Sequence, residues 1–274
     1  MTEQTTYAAT IRAQRQQRAQ ALLEDRSWLT LAGLYWLQPG ANSLGSAASN
    51  DIVLPAHSAP DYAGVLHFDD GRLVLQVEPG VIVHVNGEAI TTKALNHDKT
   101  PMPDLVTLGE LTMLVIQRGD RYAIRLWDKT NPARQQFTGL HWYPVDPAYR
   151  IEAQFVAHAE PRLIPITDGA GNIENAISPG AAVFTWAGNE VRLDAEKSGD
   201  KLFFNFCDKT NGTETYPAGR FLYAEQPTAG KVVLDFNLAT NPYCAYTPYA
   251  VCPLAPAQNR LALRIEAGEK DYHF

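Results

Sequence analysis

The residues best suited to chemistry gather near the end of the 274-residue chain. They are Asn241-Pro242-Tyr243-Cys244-Ala245-Tyr246, then Cys252-Pro253, Asn259-Arg260-Leu261 and Gly268-Glu269-Lys270. Thiols, phenols, amides, a guanidinium and a carboxylate stand among prolines, whose rings fix the backbone. A polar loop that is also stiff holds something in place, either a ligand or itself. Cys244 and Cys252 are separated by seven residues with no Cys-x-x-Cys beside them, which is poor spacing for zinc. The only histidine in the last hundred residues is His273. Two inert buried thiols are the leading reading, and a close pair or disulfide across the loop stays open beside it. As a nucleophile Cys244 would need a base or a positive field. His57, His84, His97, His141 and His158 are the possible bases, and Arg220 or Arg260 the possible field.

A second polar group runs from Asp208 to Tyr216, followed by Gly219-Arg220. Asn211-Gly212 is a hairpin signal, and Asp208 and Thr210 can bond the turn's backbone. Arg220 would begin one strand, and Asp235 and Asn237 would end the next. With Asn241, Tyr243 and Cys244 these residues are expected to converge on one site. Arg220 would be its anion-recognising group and Asp235 would orient that guanidinium. A guanidinium fork suits a carboxylate or phosphate, and Tyr243 offers a face for stacking. Glu269 belongs to the same rim, but the adjacent Lys270 would point away from it on a strand. If the site is catalytic, Cys244 or Asp235 is the reacting group. The function expected is therefore that of a small-molecule binding protein or enzyme acting on an anionic ligand. The alternative is a non-catalytic interaction or structural protein whose polar loop is a self-satisfied network. A deep pocket lined by Arg220, Asp235 and Tyr243 would favour the first, and a fully paired network the second. No dinucleotide loop, phosphate loop, nucleophile elbow or metal helix is present, so a substrate and a cofactor stay unknown and no metal is expected.

The elements that must position these groups are nearly all strands. A helix is expected over about residues 6–24, with a thin apolar stripe of Ile11, Leu22 and Leu23 and with Arg12, Arg15 and Arg18 on a solvated face. Short β-branched or aromatic runs follow at 65–68, 72–77, 81–85, 111–117 and 122–127, punctuated by Asp69-Asp70-Gly71, Pro79-Gly80, Asn86-Gly87 and Arg118-Gly119-Asp120. They resume at 183–186, 191–193, 202–206, 220–223 and 232–236. This density of strands predicts a mainly β protein made of two antiparallel sandwich or barrel domains with an N-terminal helix. Its parts would be a helix over 1–27, a sandwich over 28–128, a packed connection over 129–145 rich in Pro132, Pro144 and Pro147, and a β domain over 146–274.

Composition sets further limits. A content of 45% apolar and 19% charged residues is that of a soluble globular chain with a proper core. A net charge of −7 argues against phosphate-mediated nucleic-acid binding. The polar start lacks the apolar core of a secretory signal, and no apolar run spans a bilayer. An odd count of three cysteines gives no disulfide framework. The expected location is the cytoplasm, with no membrane partner.

Ser27-Trp28-Leu29-Thr30-Leu31-Ala32-Gly33-Leu34, Arg118-Gly119-Asp120, Ile124-Arg125-Leu126, Gly219-Arg220-Phe221-Leu222 and Leu234-Asp235-Phe236-Asn237 together resemble a bacterial and archaeal family, DUF1684. The run from Asn241 to Leu261 is the most specific part of that likeness. The resemblance supplies no activity. Leu44-Gly45-Ser46, then Asn50 to Leu54, His67 and Val85-Asn86-Gly87, is similar to the landmark order of a forkhead-associated (FHA) sandwich. Those modules bind phosphothreonine through an arginine and a serine, and here Ser46 and Gly64 stand at the two positions. The likeness therefore implies an FHA-like scaffold that binds no phosphothreonine peptide, with His67 buried against the backbone.

Overall fold

The computed structural model describes residues 3–169 and 171–272, so His273 lies outside the described residues. It divides into two compact units, one over residues 21–137 and one made of the residues up to Gln20 together with those from Thr138 onward. Both are β structures, and the second also carries the one long helix, α1 (Glu3–Ala21).

The 21–137 unit is a sandwich of strands β1 (Leu31–Trp36), β2 (Gly40–Gly45), β3 (Ile52–Val53), β4 (Gly64–Asp69), β5 (Arg72–Val77), β6 (Val83–Val85), β7 (Glu88–Ile90), β8 (Thr92–Ala94), β9 (Leu105–Leu108), β10 (Leu111–Arg118) and β11 (Arg121–Asp128), closed by the short helix α2 (Pro132–Gln135). One sheet has the order β1-β11-β10-β9-β6-β7 and the other β3-β2-β4-β5-β8. All pairings are antiparallel except the short β2–β3 contact. Alternate residues of both sheets, among them Leu44, Leu66, Leu75, Val85, Met113, Val115 and Leu126, meet in a single apolar core. The turns use the residues their geometry demands. Asn86 and Gly87 both take positive φ (51° and 87°) between β6 and β7.

Two expectations for this half meet different outcomes. Gly64 is buried with φ +148°, and a Cβ placed there would lie 2.3 Å from the carbonyl oxygen of Gln76, so a serine has no room. His67 is exposed, not buried: Leu66 faces the core from β4, so its neighbour points to solvent.

The other unit is built on the sheet order β16-β15-β14-β13-β12-β17, from β12 (Arg150–Thr167), β13 (Ile173–Trp186), β14 (Asn189–Ser198), β15 (Lys201–Phe206), β16 (Arg220–Ala224) and β17 (Lys231–Asp235). Leu222 of one end strand and Leu234 of the other share a core with Phe184, Leu193, Phe204 and Phe236, so the sheet curls around its own apolar face. Asn211-Gly212 does not make a two-residue hairpin. β15 and β16 pair directly, but residues 207–219 form an excursion between them, held by Thr210 N–H on Asp208 Oδ1 (2.7 Å) and Asn211 Nδ2 on the Tyr216 carbonyl (2.6 Å).

α1 also departs from expectation. Arg12 is exposed, but Ile11 and Arg15 are buried and Arg18 is half-buried. The helix lays Tyr7, Ile11, Arg15 and Arg18 against the 138–274 body, so two of its three arginines serve as anchors and only one is solvated. Among the described residues no helix is long and apolar enough to cross a membrane.

Candidate functional site

Of the six residues expected to converge, Arg220, Asp235, Asn237 and Asn241 are distributed over three networks, and Tyr243 and Cys244 lie on a separate turn. Arg220 is fully enclosed. Its guanidinium is paired with the equally buried Asp208 and donates to the carbonyl oxygens of Ala267 and Ile265. Phe206 covers one face at 5.1 Å. Asp208, not Asp235, is therefore the carboxylate that orients Arg220; both terminal nitrogens are occupied, and Nε, which has no hydrogen-bond partner, is enclosed and out of reach of a soluble anion. The reason is steric: Arg220 has the same parity on β16 as Leu222, so it points into the apolar core and must be neutralised there.

Asp235 and Asn237 form the second network. Asp235 caps the short turn that follows β17, accepting from Asn237 N–H (3.2 Å), and both of its oxygens accept from the Tyr7 hydroxyl of α1 (2.9 and 2.8 Å). Burial, then the Asp235 carboxylate, push the Tyr7 hydroxyl well above the ordinary phenol range. The Asn237 side chain bridges to the Asp146 carbonyl (2.8 Å), and its own carbonyl accepts from Arg15 Nη2 (2.9 Å).

Asn241 belongs to the third network, centred on Glu269. That carboxylate accepts from Asn241 N–H and Nδ2 (3.1 Å each), from the Tyr246 hydroxyl and from Arg18 Nε (3.0 Å). Burial raises the Glu269 carboxyl, and Arg18 and Tyr246 oppose that rise. Gly268 precedes it with φ +83°, where a Cβ would lie 2.7 Å from the Ala239 carbonyl oxygen, so only glycine lets the carboxylate enter. Lys270 turns elsewhere and stacks on the Tyr143 ring at 4.6 Å. These residues tie a long strandless loop to the sheet and to α1.

Tyr243 packs edge-on against Phe221, ring centroids 6.4 Å apart, and Cys244 has contacts of its own. Pro242 starts a single helical turn over Tyr243–Ala245, and that turn aims the Cys244 N–H at Cys252 Sγ, 3.1 Å away. Cys252 is buried on Phe203 and Phe221 of the sheet, while Cys244 remains half-buried. Tyr216, delivered by the excursion after β15, hydrogen-bonds the Cys244 thiol. The Cys252 and Tyr216 bonds outweigh burial and bring Cys244 down to about 7, whereas Cys252 is pushed far up. Cys207 is also raised, by burial. All three cysteines are free thiols.

The sequence points to Cys244 with Cys252 as a possible close partner, but it does not join Tyr216 to them, and it places Arg15 and Arg18 on a solvated helix. The spacing 7-11-15-18 is a helical stripe, visible only if arginine is admitted to the buried face. A concavity of about 350 Å³ lined by Ile151, Glu152, Gln154, Val183, Phe184, Thr185 and Glu190 holds none of the expected residues. Among the described residues no group of three or more His, Cys, Asp or Glu side chains is placed to hold a metal.

Residues 135–270 match the family described as Protein of unknown function (DUF1684). An uncharacterized protein of Haloarcula marismortui, solved by NMR, is similar at 31% identity over 50% of this chain and 78% of its own, with a TM-score of 0.42. The FHA-2 domain of a Mycobacterium tuberculosis ABC transporter is similar at 27% identity over 32% of this chain and 77% of its own (TM-score 0.26). Mycobacterium tuberculosis EmbR, in complex with a low affinity phosphopeptide, is similar at 21% identity over 34% and 21% of the two chains (TM-score 0.25). No curated protein matches.

Proposed function

Because the chain belongs, through residues 135–270, to the DUF1684 family, which is described without an activity, we propose a function from the chemistry of its own side chains. The C-terminal unit is a thiol-dependent redox protein whose Cys244–Cys252 pair reduces a small disulfide substrate. The observation that carries this reading is the placement of Cys244, half-exposed and bonded by both the Cys252 thiol and the Tyr216 hydroxyl. Two donors on one sulfur stabilise its thiolate, which is the form that attacks.

The Cys244 thiolate attacks one sulfur of the substrate, the substrate S–S bond breaks, and one thiolate leaves as a mixed disulfide forms. Cys252 is held protonated chiefly by its bond to the Cys244 thiolate, and that hold ends once Cys244 is in the mixed disulfide. Cys252 then gives its proton to the leaving thiolate and displaces the second half of the substrate. The substrate gains two electrons and leaves as two thiolates, one protonated by Cys252 and the other by the proton that Cys244 released to water on ionising, and the protein is oxidised to a Cys244–Cys252 disulfide. The residues first expected to bind an anion have a different part, since Arg220, Asn237 and Asn241 hold the loop on which Cys244 rides.

In a Cys207→Ser background, Cys244 should alkylate with iodoacetamide along a pH profile with its midpoint near 7, and Tyr216→Phe should move that midpoint upward. With glutathione disulfide the protein should lose two hydrogens in intact mass, and Cys252→Ser should trap glutathione on Cys244. A midpoint at the free-thiol value of about 8.5, together with no trapped adduct, would end this reading.

For residues 21–137 the same reasoning keeps phosphothreonine peptides off the surface. Ser46 offers its hydroxyl to the Asp61 carboxylate (3.4 Å), a neighbour that repels phosphate, and Gly64 has no room for a side chain.

A further inference from the structure

Three adjacent strands place a carboxylate and two aromatic rings in one row. Glu196 of β14 lies directly opposite Phe203 of β15, which lies directly opposite Tyr223 of β16. Residues directly opposite in an antiparallel pair point to the same face. That face is the outer one, because Ala195, Leu202, Phe204, Leu222 and Ala224 enter the core. The Phe203 and Tyr223 rings are 5.0 Å apart and tilted by 36°, so the Phe203 ring, only 8% exposed beside Cys252, runs on into the exposed Tyr223 ring. Tyr223 leaves 47% of its surface in solvent, so the row is open at the β16 edge.

Glu196 is the anomaly in this row. It is only 8% exposed, has no hydrogen bond or ion pair among the described residues, and its Oε1 is wholly enclosed. Every other buried carboxylate of this unit described above has partners: Asp208 has Arg220, and Glu269 has Arg18 with two further donors. An enclosed carboxylate without a donor is costly, and burial alone raises its carboxyl to about 7. The neighbouring Tyr223 hydroxyl is held up by burial first, then by Tyr243 and least by Glu196, with Arg18 opposing.

We propose that Glu196, Phe203 and Tyr223 form a binding site for an organic cation, an ammonium or guanidinium carried on a flat apolar body. The cation would supply the donor that Oε1 lacks, and the body would lie on the two rings, whose faces also attract positive charge. The chain's net charge of −7 favours such a ligand over an anion. This site does not depend on the thiol reading. Phe203 also packs on Cys252, but no step of the disulfide reaction involves Glu196.

Benzylamine is a suitable probe, with benzyl alcohol as its uncharged counterpart of the same size. At pH 8 benzylamine should raise the melting temperature of the full chain and give a saturable titration of tyrosine fluorescence, while benzyl alcohol gives at least tenfold weaker binding, about what one charge-assisted bond supplies. Glu196→Gln keeps the shape of the side chain and should bring benzylamine down to the level of the alcohol. Tyr223→Ala removes an exposed ring and should weaken both probes. Cys244→Ser should bind benzylamine like the wild type, which separates this site from the thiol chemistry. The proposal is overturned if benzylamine does not bind up to its solubility limit, if the two probes bind alike, or if Glu196→Gln binds benzylamine as the wild type does.

Discussion

Arg220 and Asp208 carry opposite charges with no surface open to water, and this decides what each can do. A guanidinium that served a ligand would have to keep part of its fork within reach of solvent, yet here two carbonyls and one carboxylate occupy both terminal nitrogens and the unpartnered Nε is enclosed. Breaking a buried pair by removing one partner leaves the other charged and dry, which typically costs about 3–5 kcal/mol. Asp208→Asn should therefore destabilise the C-terminal unit by roughly that amount. Arg220→Met combined with Asp208→Leu should cost less than the two single changes added, because no buried charge then survives. Urea denaturation of the wild type, Asp208→Asn, the two single changes and their combination measures this. A loss below about 1 kcal/mol for Asp208→Asn, the size of an ordinary neutral hydrogen bond, would return Arg220 to the list of ligand-binding candidates.

At the scale of elements, α1 is attached by polar contacts more than by apolar ones. Ile11 contributes one buried side chain, but Arg15 reaches the carbonyls of Asn237 and Tyr143 and stacks over Trp142 at 4.6 Å. Arg18 closes on Glu269, on the Asn241 carbonyl (3.0 Å) and on the Tyr246 hydroxyl (3.1 Å). Arg18→Met should therefore be pH-dependent in its cost. Burial already raises the folded carboxyl of Glu269 above its unfolded value, and loss of Arg18 raises it further. The folded state then holds the proton more tightly than the unfolded one, so the deficit of the variant is small near pH 4.5 and grows as pH rises through the two folded values. Melting curves of both proteins from pH 4.5 to 8 should diverge upward in pH, and parallel curves would mean that Arg18 does not touch the carboxylate. The same helix shows where the sequence was opaque. Its extent was legible to within a few residues, but its docking face was not, because arginines read as solvated. Strands with β-branched or aromatic runs and glycine turns, such as β5, β10 and β11, were legible for the opposite reason, since alternation and turn chemistry agree there. β12 and the first half of β13 were not. They pair with each other as a largely exposed ribbon containing Pro161, Pro165 and Pro179, so neither face shows the apolar period of a buried strand. The candidate site was legible as a region but not as an assignment. Sequence concentrates polar groups near 241–270 but cannot tell which of them point inward, and that depends on strand parity at Arg220 and on Gly268 at Glu269.

At the scale of the whole molecule, both ends of the chain contribute to one unit, with the 21–137 sandwich inserted between them. The C-terminal β unit is then incomplete without the first residues of the chain. Removal of residues 1–20 would strip Tyr7 from Asp235, Arg15 from the Asn237 and Tyr143 carbonyls, and Arg18 from Glu269 in one step. Four buried or half-buried acceptors would lose their donors together, and the loss of the Arg18–Glu269 pair alone leaves an enclosed carboxylate unneutralised. The 21–137 unit loses nothing from its core, since none of the apolar residues packed in it precedes Ala32. Hydrogen exchange followed by mass spectrometry separates the two outcomes within one sample. In the truncated chain the amides of β17 and of residues 236–246 and 267–270 should exchange much faster than in the full chain, while those of β4, β5, β10 and β11 keep their protection. The Cys244 thiol should report the same loosening, because the loop that carries it is held at Asn241 and Glu269. Its alkylation midpoint should drift from near 7 toward the free-thiol value as Cys252 and Tyr216 lose their fixed positions. Equal protection at 236–246 with and without the helix would show that the loop holds itself, and that α1 is attached to the unit without stabilising it.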